Sequence, residues 1–221
     1  MSYEPPLQGT KRPDLMKAVK YIEEIYSEKK ERSLNEFIRM SGVEDFDPLI
    51  EDDIARLFSV LVTLTRPKRI LEIGTSIGFS TTILAKAMEE WGGRVISLEI
   101  DAEVAKNAIA NFKREGVKDS IDVVIGNADE TIRDFEDDSF DIVFQDSSKR
   151  LYPVMLDECL RVLKPGGLLL VDDTLFPVIN PKEEWTDSDE AIHRFNKRLL
   201  ERSVISTILP IGEGCTIAVK L

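Results

Sequence analysis

The hydrophobic pattern changes period near residue 68. Before that point apolar residues recur at three- and four-residue intervals, the spacing of one helix face. Pro13 and Asp14 open an amphipathic stretch that runs to about Lys30. Ser33 with Glu36 fits a capping box, and Gly42 is placed to end that short helix. A third helix is expected from about Asp47-Pro48. Its Glu51, Asp52 and Asp53 look like a reactive cluster, but carboxylates in a first turn also complement the helix dipole, and that plainer reading is preferred.

From Lys68 onward short apolar runs alternate with amphipathic segments. The runs Arg69 to Ile73, Arg94 to Glu99, Ile121 to Ile125, Phe140 to Phe144 and Leu168 to Val171 read as buried parallel strands joined by crossover helices. Trp91-Gly92-Gly93 and Lys164-Pro165-Gly166-Gly167 are expected as turns between helix and strand. Two further strands, Val204 to Leu209 and Thr216 to Val219, have only Pro210 to Cys215 between them. That is too short for a crossover helix, so they are expected as antiparallel neighbours. The order predicts a doubly wound α/β sheet, mostly parallel, with a C-terminal antiparallel hairpin and N-terminal helices. Ligands belong beyond the carboxyl ends of its strands.

Composition narrows the function. A chain of 221 residues fits one domain, read as a helical cap over 1–66 and an α/β core over 67–221. The 43% hydrophobic and 32% charged content supplies a core and argues against disorder. With 29 basic against 41 acidic residues the net charge is -12, which repels a phosphate backbone, so no nucleic-acid partner is expected. Cys159 and Cys215 lie far apart with no Cys-x-x-Cys, and His193 is the single histidine, so neither a disulfide framework nor a multi-histidine metal site is available. No apolar run approaches the roughly 20 residues of a membrane span. A cytoplasmic protein with no membrane partner is expected.

The segment Glu72-Ile73-Gly74-Thr75-Ser76-Ile77-Gly78-Phe79-Ser80 follows the first strand and opens a helix. Its glycines let a ligand approach the backbone, and the helix N-terminus offers unpaired N–H groups to an anion; a tight packing turn is the plain alternative. A nicotinamide fingerprint requires a middle glycine where Ser76 stands. Ser76, Asp172 and His193 follow in the chain order of a hydrolase triad, yet no oxyanion loop or earlier strands precede Ser76, and His193 falls inside the expected helix from Asp187 to Glu201. Glu99, ending the second strand before a capping Asp101, suits a ribose hydroxyl pair. Glu72, Gly74, Gly78 and Glu99 together resemble the cofactor signature of class I S-adenosylmethionine-dependent methyltransferases.

Asp146 follows the fourth strand and Asp172-Asp173 end the fifth. If those strands are neighbours, about 4.8 Å apart, the three carboxylates converge, raise one another's pKa and suit a divalent cation; otherwise Asp146 caps a helix and the pair shapes a turn. Lys149 is either a solvated surface group or, beside a cation and a sulfonium, an amine of lowered pKa able to take a proton. Phe176, Pro177 and Trp185, in the insertion from Leu175 to Trp185, form either an apolar wall for an acceptor or a structural plug.

From about Ile50 to the C-terminus the chain resembles the cation-dependent O-methyltransferases of the catechol and caffeoyl-coenzyme A type. The resemblance rests on Leu71-Glu72-Ile73-Gly74-Thr75 with Gly78-Phe79-Ser80, Leu98-Glu99-Ile100-Asp101, Asp146-x-x-Lys149 with Tyr152, Leu163-Lys164-Pro165-Gly166-Gly167, Asp172-Asp173, Arg194-Phe195-Asn196 and Leu209-Pro210-Ile211-Gly212. It implies a Rossmann-like methyltransferase sheet and transfer of a methyl group to a small phenolic or catechol-like hydroxyl acceptor. It also implies S-adenosylmethionine contacts at Glu72, Gly74, Ser76, Gly78, Ser80, Glu99, Ile100, Ala128 and Asp146. A divalent cation (Mg²⁺, or Mn²⁺ or Ca²⁺) would sit on Asp146, Asp172 and Asp173, with Lys149 as the base, in a homodimer. The family pattern has Asp-Ala-Asp-Lys where this chain has Asp146-Ser147-Ser148-Lys149, and Asp-Asn where it has Asp172-Asp173. An RNA nucleoside O-methyltransferase and a non-catalytic adenosyl-binding module are the alternatives.

Overall fold

Five crossover strands and a closing hairpin make one seven-stranded sheet in the computed structural model, which describes residues 14–28, 33–46, 48–179 and 181–221. Pro13, Lys30 and Asp47, named above, lie outside these. The strands are β1 (Arg69–Ile73), β2 (Arg94–Glu99), β3 (Ile121–Ile125), β4 (Phe140–Gln145), β5 (Leu163–Val171), β6 (Val204–Leu209) and β7 (Cys215–Lys220). Their order is β3-β2-β1-β4-β5-β7-β6. The first five run parallel, β7 is antiparallel to β5, and β6 is antiparallel to β7. The order reverses direction between β1 and β4, so a crevice opens past their carboxyl ends, where the glycine loop and Asp146 emerge.

The helices are α1 (Leu15–Ser27), α2 (Leu34–Ser41), α3 (Asp52–Thr65), α4 (Phe79–Ala87), α5 (Ala102–Glu115), the short α6 (Ala128–Thr131), α7 (Tyr152–Val162) and α8 (Asp187–Leu199). Contacts divide the chain into residues 1–33 and 34–221. In the first unit Asp14 caps α1 by accepting the Lys17 N–H at 3.1 Å. In the second, two apolar layers cover the sheet. One joins Phe37, Phe58, Phe79 and Phe112 to Phe144; the other joins Tyr152, Leu156, Ile192 and Phe195 to Leu71 and Val143. Phe58 packs edge-on to Phe144 at 4.8 Å and is fully buried, so its truncation to alanine costs about 3–5 kcal/mol. No described helix is long and apolar enough to cross a membrane.

Two boundaries differ from the sequence reading. The third helix begins at Asp52 with Glu51 as its extended N-cap, not at Asp47-Pro48, because Ile50 is drawn into the core ahead of the helix and the buried stripe starts only at Ile54. Asp52 meanwhile accepts the Leu34 N–H at 2.7 Å, so it serves the start of α2 as well as its own dipole. Lys164-Pro165-Gly166-Gly167 is not a separate turn before β5. Leu163 already pairs with Phe140, and the strand resumes at Leu168 opposite Ile142, so the four residues form an irregularity within β5 where Gly166 takes φ +78°.

Candidate functional site

The glycine loop is pinned between two strands. Gly74 N–H donates to Leu98 O at 3.0 Å and Asp146 N–H to Ile73 O at 3.0 Å. Gly74 has φ +101°, and a Cβ there would run into the Asp146 carbonyl; glycine is what allows β4 to end against the loop. Gly78 caps α4 at φ +87° with the Phe112 ring against it, and Ser76 also sits at positive φ, +47°. The first-turn N–H groups of α4, including those of Phe79 and Ser80, have no partner within the helix and form an anion-binding end.

Beneath the loop Glu72 is fully buried. Its carboxylate accepts hydroxyls from Ser80 at 2.6 Å, Ser97 at 2.5 Å and Thr81. Burial pushes its pKa up to about 7 against the pull of those three donors. Glu72 therefore ties α4 to β2 from below, and the Ser80 hydroxyl is engaged with it, leaving the Ser80 backbone N–H for an anion. Glu99 is also a fastener: it accepts the N–H groups of Thr75 at 3.3 Å, Ser76 at 3.1 Å and Asp101 at 3.0 Å. Beside it Ile100 is 71% exposed, and Ala128 starts α6 just after Gly126, whose N–H reaches Glu99 O at 2.8 Å. Glu99, Ile100 and Ala128 thus border the crevice on its β2–β3 side.

On the other side of the crevice β4 and β5 are neighbours, with Gln145 opposite Val171. Carboxylate oxygens of Asp146, Asp172 and Asp173 lie within 4.8 Å of one another. The helix-cap alternative for Asp146 is not what is seen: α7 starts only at Tyr152, and its N-cap is Leu151. Asp172 is 3% exposed, and its Oδ1 is buried without a hydrogen-bond partner. Burial first, then the charges of Asp146 and Asp173, push its pKa up to about 9. Asp173 sits at φ +59°, a left-handed conformation that aspartate and asparagine tolerate better than most residues.

Lys149 is neither a solvated surface group nor, in this arrangement, an amine of lowered pKa. Its ammonium pairs with Asp173 at 2.5 Å and Asp146 at 3.2 Å and donates to the Tyr152 hydroxyl at 3.0 Å, with only 14% of the side chain exposed. Burial alone would favour losing the proton, but Tyr152 and the two carboxylates outweigh it and hold the pKa above the ordinary lysine value. Phe176 lies 5.8 Å from the ammonium and so walls this site, whereas Trp185 donates to Pro177 O at 3.2 Å and packs in a tilted contact on His193, ring centroids 5.1 Å apart. His193 is thus an aromatic partner inside α8. Asn196 explains its motif: its amide donates to Thr174 O at 2.8 Å and fixes the turn after Asp173.

Three site residues were not singled out for a role from the sequence. Tyr152 appeared only within a motif; it is fully buried under Lys149. Glu51, set aside as a dipole partner, has its carboxylate over Gly212, and partial burial, then Asp53, Asp173 and Glu213, raise its pKa. Glu213 is brought in by the β6–β7 loop, whose Glu213 O and Gly214 O accept the N–H groups of Leu175 and Thr174 at 2.9 and 2.8 Å. For Glu51 and Glu213 only their acidity was visible in sequence.

Residues 23–221 match a family model described as O-methyltransferase. Catechol O-methyltransferase domain-containing protein 1 of Mus musculus is 31% identical over 182 residues, spanning 79% of this chain and 69% of its own length. Caffeoyl-CoA O-methyltransferase of Populus kitakamiensis is 27% identical over the full length of both chains. The crystal structure of an O-methyltransferase from Bacillus cereus in complex with SAH superposes with a TM-score of 0.79 at 26% identity, covering 92% of this chain and 97% of that one.

Proposed function

The chain belongs to the O-methyltransferase family, and from that premise we propose that it moves the methyl group of S-adenosylmethionine to one hydroxyl of a small, catechol-like acceptor, with a divalent cation held by Asp146, Asp172 and Asp173. The observation that carries the cation is the orphaned, buried Asp172 Oδ1 among three converging carboxylates. An all-oxygen donor set suits Mg²⁺, Mn²⁺ or Ca²⁺ better than zinc or copper. Bound there, such an ion would lower the pKa of a chelated hydroxyl. The methyl donor brings its own reactivity as a sulfonium. The SAH complex of the Bacillus cereus relative supports the cofactor.

The chain's own residues would then divide the work. Gly74 and Gly78 admit the cofactor to the backbone, and the first-turn N–H groups of α4 receive its carboxylate. Glu99, already bridging Thr75, Ser76 and Asp101, has further lone pairs for ribose hydroxyls. Phe176 and Tyr152 hold Lys149 beside the acids. For Lys149 to take the acceptor's proton, Asp146 and Asp173 must first turn to another cation, since their pairing is what holds its own proton. Fixing the reacting atoms in line contributes up to about 7–11 kcal/mol.

The test is a transfer assay with labelled S-adenosylmethionine and catechol. Excess chelator should abolish transfer, and Mg²⁺ or Mn²⁺ should restore it. Full activity in chelator with no ion bound would reduce the aspartates to turn residues, and cofactor binding without transfer to any hydroxyl acceptor would leave an adenosyl-binding module.

A further inference from the structure

Buried polar atoms without partners gather where the sheet meets the crevice. Among the described residues six side-chain atoms are in that condition, and three of them, Gln145 Nε2, Ser147 Oγ and Asp172 Oδ1, fall at the carboxyl ends of β4 and β5. Gln145 is fully buried beside Cys159, whose Sγ lies 3.7 Å from its Oε1, so its amide belongs to the interior. Asp172 is one of the three converging carboxylates. Ser147 has no such explanation. The residue is half-buried, and its Cα lies 3.4 Å from where a Cβ on Gly74 would be, so it flanks the crevice on the glycine-loop side. A hydroxyl shut off from water without a partner costs stability, and rotation about a single bond, χ1, redirects it to a ligand.

We infer that Ser147 is a cofactor-contact residue whose hydroxyl accepts a hydrogen bond from the α-ammonium of S-adenosylmethionine. This rests on the S-adenosylmethionine reading of the crevice. The cofactor's polar groups divide by chemistry. Its carboxylate, an acceptor, suits the first-turn N–H groups of α4, and its ribose hydroxyls suit Glu99. The ammonium has only N–H groups to give and stands on the carbon next to the carboxylate, so it must find oxygen close to the glycine loop. Glu72 beneath the loop is engaged by Ser80, Ser97 and Thr81. Asp146 is paired with Lys149 and grouped with the proposed cation ligands. Ser147, set against Gly74 and next in the chain to Asp146, offers lone pairs that no other group of the protein uses. Being neutral, it adds an acceptor without adding a fourth negative charge to the three acids.

The experiment pairs one substitution with one change in the ligand. Calorimetry in the presence of chelator compares S-adenosylhomocysteine, which carries the ammonium, with its desamino analogue, in which hydrogen replaces that group. Each is titrated into the unaltered protein and into Ser147→Ala. S-adenosylhomocysteine should bind the variant about tenfold or more weakly, the loss expected for a hydrogen bond to a charged group. The desamino analogue should bind both proteins alike. Without ligand, Ser147→Ala should melt at the same temperature as the unaltered protein or higher, because it removes a buried hydroxyl that has no partner. Its Mn²⁺ affinity should not change. An equal loss for both ligands would place the hydroxyl on another part of the cofactor, and no loss for either would leave it without a ligand. A lower melting temperature or a failure to fold would show a partner inside the protein, and weaker Mn²⁺ binding would assign the hydroxyl to the cation. Each of these results overturns the inference while leaving the cofactor reading in place. No binding of S-adenosylhomocysteine by the unaltered protein counts against the cofactor reading itself, and the role of Ser147 falls with it.

Discussion

Replacing Glu72 by glutamine should flatten the pH dependence of stability between about pH 4.5 and 7. The carboxyl is fully buried, and its pKa is raised from 4.5 to about 7 by that burial, with hydroxyls of Ser80, Ser97 and Thr81 pulling the other way. Below pH 4.5 the group is protonated whether the chain is folded or not. Between 4.5 and 7 folding takes up a proton, so stability falls as pH rises; above 7 the group is ionised in both states and the loss is complete. A shift of some 2.5 units at 1.36 kcal/mol each gives about 3 kcal/mol, and full burial means little screening by water. Glutamine carries no titrating proton, and serine or threonine hydroxyls reorient to accept from its amide. Urea unfolding of both proteins at several pH values measures the difference, which cancels other groups, Asp172 among them, that titrate alike in both. Their stabilities should draw together or cross by about 3 kcal/mol from pH 4.5 to 7, the unaltered protein losing more. Parallel curves over that range would refute an ionisable group held out of water under the glycine loop.

Two further substitutions separate the roles around the crevice. Lys149→Ala removes the ammonium that now occupies Asp146 and Asp173, so a Mn²⁺ titration should show affinity equal to or tighter than before, while turnover slows by about 10² to 10⁴. Unchanged turnover across pH would make Lys149 a partner of the acids and nothing more. Glu99→Ala strips an acceptor from three loop N–H groups as well as from the ribose, a loss of roughly 1–3 kcal/mol, so calorimetry should show S-adenosylmethionine binding weakened about tenfold or more. An unaltered affinity would place the ribose elsewhere.

Much of the site was legible because its chemistry sits at strand ends, and strand ends are marked locally. The change from helical spacing to short apolar runs located β1 to β4 within a residue, and the positive-φ glycines of the loop announced themselves as Gly74 and Gly78. Asp101 as a cap of α5 followed from residue type alone and is seen accepting from Glu103 and Val104. The start of α3 was misplaced because a proline signals a permitted helix start, whereas the burial of Ile50 decides the actual one.

By itself, the sequence determined the kinds of element, their order, and which acids fall at the ends of which strands, because periodicity, caps and turn residues act over a few neighbouring positions. Only the tertiary structure decided what those acids meet. Strand order put β4 beside both β1 and β5, which set Asp146 against the glycine loop and against Asp172. The β6–β7 loop and the N-cap of α3 carried Glu213 and Glu51, far apart in sequence, to one rim. The proton affinities of Glu72 and Lys149 belong to the same level. Each is the difference between a desolvation cost and the attraction of specific partners, and both exist only once distant segments have packed together.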